Sequence, residues 1–556
     1  MSGWMASSLI VRAPLARRRL LRSLAVAAAV VSGAVAPVAL SGAVASADAV
    51  AGQTVEGQLV QAWAEAEPAA GHDADGHGSD GLVSWVQPAE GDPVLIESDA
   101  VDGVPSGSTV EVTVGPSTSG DEPLPVVDAT VTSTPAVPPA RVTNEVTVAM
   151  VAPAGSAPTG DGTTLGQIVS AVDDRVAPFW SAQTDGAVNL HVGATHDWAP
   201  ASVGCAQPGL LWDEVAARVQ FVPGPGKHLL LYVSRDSDCA YALAEVGRSP
   251  SSGGRLYVRD TTTSVIAHEF GHNFGLGHSS AQQCDGAVEG GSCRTMAYRD
   301  YYDVMGVSGA QTGTLNAAQA ALLGALPAGQ QQTVSVWGSA TTATLSPLSG
   351  RVGTRALQLT DADGVSYWLE FRTATGQDGW LASANRFGLE SGVLLRRAGG
   401  LPDTSVLLDG TPSATAGWDT DYRAALPVGV AVPVSGSDFS VVVQSVSAAG
   451  AVVSVTPAPP AAAGTPAPAP RQTTAGVVMS GAGEAAAEAP VAAGDEPAKL
   501  WAPAYSGAAD PSDTMLRSVS DTGSSTGYLV AVAGAALAGA TLLVVRRLRR
   551  LRTAVR

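Results

Sequence analysis

The feature that most constrains this chain is the run His268-Glu269-Phe270-Gly271-His272-Asn273-Phe274-Gly275-Leu276-Gly277-His278. His268 and His272 are four residues apart, so on an α-helix both rings project from one face and can take two corners of a zinc tetrahedron. Glu269 follows one residue on, beside the metal but off the ligand axis, which is the place for a base that takes a proton from water. His278 reaches the same ion only if the chain leaves the helix and turns back. Gly275 is the residue able to adopt the positive φ or close approach that such a turn needs. Three neutral nitrogens leave one position open, which separates a catalytic zinc from a closed structural one. The competing explanation is a buried amphipathic helix with ordinary packing histidines. Only eight histidines occur in the chain, and three fall here with the glutamate and glycine at the required offsets.

The full spacing H-E-x-x-H-x-x-G-x-x-H resembles that of the metzincin zinc endopeptidases. A second match is Tyr301-Tyr302-Asp303-Val304-Met305-Gly306, which resembles the methionine-turn segment of the gametolysin-like peptidases and their bacterial relatives. The resemblance spans about residues 143–326, with a looser extension to 455. It implies a catalytic domain of α/β (α+β) class, with a twisted mixed sheet and a zinc-binding helix, followed by a β-rich domain. It further implies that His268, His272 and His278 bind one catalytic Zn2+, that Glu269 is the base, and that Met305 forms a floor beneath the histidines without ligating. Met296 lacks the following glycine and is the weaker choice for the turn. Where some metzincins carry a tyrosine two residues after the turn methionine, this chain has Val307, so no fifth ligand is assigned; Tyr301 or Tyr302 could substitute only through an unforeseen geometry. Asp303 suits an Asx-type hydrogen bond within the turn. The activity implied is zinc-dependent hydrolysis of peptide bonds in extracellular proteins. A structural Ca2+ is left open.

The two ends of the chain are basic and apolar. Residues 1–47 read as a signal peptide: five arginines, an apolar stretch over 24–40, and Ala45-Ser46-Ala47 as a cleavage site. Residues 527–545 carry no charge and would span about 28 Å as a helix, enough for a hydrocarbon core. Six arginines follow in 546–556, a basic cytoplasmic tail. Together these predict a single-pass membrane anchor, with the bulk of the chain outside the cell membrane. Eleven of the 31 basic residues sit in those two segments, leaving 20 against 50 acidic residues elsewhere. Such a surface does not attract nucleic acid.

Between the ends, residues 48–140 are turn-rich and suit a prosegment or an N-terminal β-rich region, with a short helix expected over 59–67 and a polar loop holding His72 and His77. No cysteine precedes Cys205, so a prosegment thiolate on the zinc is ruled out. Over 141–328, the catalytic domain, strand-like stretches at 144–151, 187–192, 227–233 and 255–258 alternate with helical ones at 165–180 and 210–219. This alternation suits a twisted sheet backed by helices. Substrate is expected to add to an edge strand of that sheet, taken to be 255–258. His191 and His196 lack ligand spacing to the motif. The four cysteines, Cys205, Cys239, Cys284 and Cys293, argue for two disulfides with three possible pairings; Cys284 with Cys293 and Cys205 with Cys239 are favoured. From 329 to 456 the period changes to two, predicting a β-rich accessory domain. Residues 457–524 are a Pro/Ala/Gly-rich stalk. The chain is expected to be a monomer acting on an extracellular protein or peptide. The rival function is a catalytically silent surface adhesion or binding protein working through its β-rich modules.

Overall fold

The computed structural model describes residues 52–65, 81–116, 122–135, 143–157, 160–306, 311–415 and 420–459. The amino-terminal region contributes β1 (Thr54–Glu65), β2 (Gly81–Pro88), β3 (Val94–Ile96), β4 (Thr109–Val114) and β5 (Val126–Ser133). Next come β6 (Thr143–Ala152), α1 (Leu165–Ala171), a π-helical turn Val172–Val176, α2 (Ala177–Gln183) and β7 (Asn189–Pro200). They are followed by α3 (Pro208–Val219), β8 (Lys227–Val233), β9 (Ala242–Glu245), β10 (Gly254–Val258), α4 (Thr263–Asn273), β11 (His278–Cys284) and β12 (Cys293–Met296). The remainder is α5 (Ala317–Leu322), β13 (Gln331–Ser335), β14 (Thr341–Leu345), β15 (Ala356–Thr360), β16 (Ser366–Arg372), β17 (Gly392–Ala398), β18 (Asp403–Leu408), β19 (Ala431–Val434), β20 (Phe439–Ser447) and β21 (Gly450–Pro457). This is the α/β architecture with mixed sheets and a histidine-bearing helix, followed by a β-rich region.

The first sheet has ten strands, with a main path β3-β2-β1-β9-β10-β8-β6-β7; β4 and β5 continue from β1. Strand alternation sorts its side chains between two cores. Val146, Val148, Leu230, Tyr232, Ala242 and Ala244 face α1, α2 and α4 and pack on Phe270 and Phe274. Ala149, Val151, Leu229, Leu231 and Leu243 face the other way onto Leu211, Trp212 and Val215 of α3. Helix α4 therefore lies buried against one face of the sheet, with nine of its eleven residues inaccessible.

Two expectations are corrected here. Of the helix expected over 59–67, the described part, 59–65, is strand instead. Leu59, Val60 and Trp63 fit either period, but pairing with β2 through Gly57–Ala64, with β4 through Thr54–Gln58 and with β9 through Ala62–Glu65 satisfies the β1 backbone as a strand. Residues 255–258 are not the edge: β10 lies between β8 and β9. β9 in turn lies between β10 and β1.

The β-rich region is continuous with the metal-site segment. β11 pairs in parallel with β18, in a seven-stranded sheet ordered β12-β11-β18-β17-β16-β15-β13. A further four-stranded sheet, β14-β21-β20-β19, packs its apolar face into the same core as β13 and β15. A disulfide joins Cys284 to Cys293 across the β11–β12 hairpin, and another joins Cys205 to Cys239.

The single-pass membrane anchor, with the cell-membrane location and transmembrane character attached to it, is also corrected. Among the described residues no helix is long and apolar enough to cross a membrane. The stretch 527–545 on which the anchor rested lies outside the described residues, as do residues 1–47, the loop with His72 and His77, the stalk beyond 459 and the tail 546–556.

Candidate metal centre

Thr262 occupies the amino-terminal cap position of α4, but its hydroxyl donates to Asp260 Oδ1 (2.7 Å) rather than capping the helix. Along α4, His268 and His272 project together, with ring centroids 4.7 Å apart. The helix ends at Asn273, and Gly275 takes φ +94° with its α-carbon against the Arg248 backbone, where a β-carbon would lie 2.9 Å from the Arg248 carbonyl carbon. Only a glycine suits both demands. The chain then reverses into β11, whose first residue, His278, returns to within 5.0 Å of the His272 ring.

The imidazoles are oriented through their far nitrogens. His268 Nδ1–H donates to the Val304 carbonyl (2.9 Å) and His272 Nδ1–H to the Leu276 carbonyl (2.8 Å). Each bond fixes the tautomer that leaves Nε2 with a free lone pair. A fourth side chain meets them: Glu65, the last residue of β1, places Oε1 3.4 Å from His268 Nε2, 3.4 Å from His272 Nε2 and 3.1 Å from His278 Nε2. The ligand atoms of all four residues lie within 4.8 Å of one another. His268 Nε2 is buried and has no hydrogen-bond partner. A buried, unsatisfied acceptor facing two further imidazole nitrogens and a carboxylate fits a divalent zinc by donor chemistry, number and orientation. No other group of three or more converging His, Cys, Asp or Glu side chains occurs among the described residues, so nothing there supports a structural Ca2+.

The electrostatics follow from this crowding. Burial alone would raise the Glu65 carboxyl, but its closeness to the imidazoles of His268, His278 and His272 holds it well below the usual carboxylate range. Burial lowers His272 to about 4. Glu269 is fully buried, its Oε2 has no hydrogen-bond partner, and burial together with the Glu65 charge pushes it well above the usual range.

Met305 is fully buried in the apolar core with Phe270 and Trp180. A β-carbon at Gly271 would overlap Met305 Sδ, so the helix can rest on the methionine only because residue 271 has no side chain. Asp303 accepts from Met305 N (2.8 Å) and from Asn316 N (2.6 Å), which ties the turn to the start of α5. Tyr301 and Tyr302 do not approach the cluster: Tyr301 stacks on Phe387 and the Tyr302 hydroxyl donates to the Glu390 carbonyl (2.8 Å). The tyrosine that does is Tyr298, held at φ +59° with its ring 4.0 Å from that of His278. His191 and His196 lie on β7 at the far side of the sheet, outside the cluster. Two contributors were thus not singled out from sequence, Glu65 and Tyr298; neither has a fixed spacing to the histidine motif.

The end of α4 is anchored by a buried polar pair. Asn273 Nδ2 donates to the Glu245 carbonyl (2.8 Å), and its Oδ1 accepts from Nδ1–H of His228, 2.9 Å away on β8. Burial lowers His228 to about 4. The unfolded chain, with an ordinary histidine near 6.5, binds this proton first, so the native state loses stability as pH falls from about 6.5 to about 4. The loss is expected to total about 3 kcal/mol, and His228→Gln should flatten it. Denaturant midpoints of the two proteins across that range check this; equal slopes would exclude a neutral buried His228.

Residues 178–279 match the model of the metallo-peptidase family M12B, reprolysin-like. No curated protein matches the chain. Among solved structures, a chain from a chaperone-substrate complex is 12% identical with a TM-score of 0.17, over 35% of this chain and 30% of that one. Metalloproteinase-II from Bacteroides fragilis is 11% identical with a TM-score of 0.20, over 44% of this chain and 75% of that one. At those scores neither likeness carries an argument. The family match and the converging histidines give a metzincin-like zinc-peptidase fold with a candidate Glu/His3 metal cluster.

Proposed function

We propose that the protein is a zinc endopeptidase of the gametolysin-like type, with residues 141–328 as its catalytic domain. His268, His272 and His278 hold the metal, Glu269 is the base, and the substrate is an extracellular protein or peptide. The observation that carries this is the convergence of three histidines on one point, two of them held in the ligating tautomer, with a buried carboxylate next along the helix. The sequence Tyr301 to Gly306, with Met305 under α4, supports the gametolysin-like assignment; two disulfides support an extracellular setting.

Bound Zn2+ would supply Lewis acidity to the scissile carbonyl and to the attacking water. The substrate lies extended along β9, adding to it by backbone hydrogen bonds. Glu269 takes one proton from the attacking water and returns it to the departing amine nitrogen, so one water is consumed and a carboxylate and an amine are released. The Val304 and Leu276 carbonyls keep His268 and His272 in the ligating tautomer throughout.

The test is cleavage of an unstructured protein, run on the chain as it folds and on Glu65→Gln, with zinc content measured on the same samples. About one zinc per chain is expected, with cleavage abolished by a chelator and restored by zinc. A chain that binds zinc yet cleaves nothing in either form would overturn the peptidase reading.

A further inference from the structure

Glu65 lies at the end of a strand that has no evident reason to enter the metal centre. β1 runs antiparallel to β9, with Trp63 opposite Ala244 and Glu65 opposite Ala242. β9 is itself antiparallel to β10, whereas β10, β8, β6 and β7 are all parallel. β9 is thus the odd strand that closes the catalytic sheet, and its outer backbone groups are those an extended substrate needs. β1 already uses them.

Strand alternation carries the rest. Val60, Ala62 and Ala64 point into the α3-side core and anchor the strand. Trp63 and Glu65 must then point to the α4 side. The Trp63 ring meets His278 edge-on at 4.8 Å, and Glu65 Oε1 stands among the three histidine nitrogens. One segment therefore fills both the peptide-binding edge and the position that the three histidines leave open.

We infer that the chain folds as its own latent form, with β1 seated where substrate would lie and Glu65 as the fourth metal ligand. This rests on the peptidase reading and specifies how the site is silenced. The ligand is a carboxylate, and no cysteine precedes Cys205 to supply a thiolate in its place. Loss of the Glu65 contact should release the edge and open the fourth position.

The test uses the full chain and its Glu65→Gln and Glu65→Ala variants, each loaded with Co2+ in place of zinc. The visible absorption of the Co2+ protein reads the ligand set independently of activity. Its bands should shift on substitution, and cleavage of an unstructured protein by the zinc-loaded variants should rise about tenfold to 100-fold, the reciprocal of the fraction open in the parent. Glu65→Asp keeps the charge and the strand while withdrawing the oxygen by one methylene; it should give a smaller rise, and it serves if the other variants do not fold. Unchanged Co2+ bands with full activity in the parent would overturn the latch and leave the peptidase reading intact. Shifted bands without any gain in cleavage, in a parent that is already active, would overturn latency while keeping Glu65 as a ligand. Absence of bound metal in every form, the parent included, would overturn both.

Discussion

Glu269→Gln, placed in the Glu65→Gln background so that the cleft is open, is expected to lower kcat/KM by about 10²–10⁴-fold, the range for losing a positioned general base. It should do so with zinc content unchanged. The separation is the point of the experiment. Glu269 is adjacent in sequence to His268, yet the converging donor atoms belong to His268, His272, His278 and Glu65 and not to it. An amide in its place keeps the size and the burial but cannot hold a proton taken from water. In the parent, burial and the Glu65 charge together push Glu269 up, and a protonated acid cannot act as a base. Replacing Glu65 removes one of those two causes. Activity in the opened enzyme should therefore rise with pH through the Glu269 titration, and that limb should vanish in the double variant. Loss of zinc along with activity would instead make Glu269 part of the metal cluster.

The site was legible in sequence wherever it is local. The four-residue offset of His268 and His272 and the glycine before the return are consequences of one helix and one reversal, and these are set by neighbours in the chain. What was not legible is non-local. Glu65 lies more than 200 residues before His268, at the end of a stretch whose apolar residues suit either a helix or a strand. Its strand character is decided by β2, β4 and β9, which supply backbone partners no local pattern reveals. The edge was misassigned for the same reason, since strand order depends on which pairings close the sheet. Tyr298 reaches His278 through a left-handed backbone at a non-glycine residue, a conformation that spacing does not announce. The β-rich character over 329–456 was visible as a period of two, but its attachment to the site was not. That attachment runs through β18 beside β11 and through charges on β16 and β17.

Those charges give the second large expected effect. Arg396 on β17 is fully buried, its Nε donating to Glu370 Oε1 (2.9 Å) and its guanidinium paired with Asp300 just before the methionine turn. Arg372 donates to the same Glu370 oxygen (2.8 Å), and Glu370 Oε2 accepts from Ala317 N (2.7 Å) at the start of α5. Asp300 accepts from Ser279 Oγ (2.7 Å), next to His278. Asp303, pushed up to about 7 by burial and by Asp300, is held down in turn by Arg396 and Arg372. Removing the Arg396 guanidinium therefore strands Asp300 away from water without a cation and leaves Glu370 with Arg372 alone, and Arg396→Met is expected to cost about 3–5 kcal/mol in denaturant unfolding. Adding Asp300→Asn should recover part of that loss, because the pair is removed together and the cycle isolates their coupling. The turn that Asp300 steadies carries the Val304 carbonyl that orients His268, so Arg396→Met should also weaken zinc binding, although the residue lies on a strand of the β-rich region. A cost under about 1 kcal/mol, the scale of a solvent-screened pair, would mean that water reaches this cluster and that the β-rich region does not brace the metal site through it.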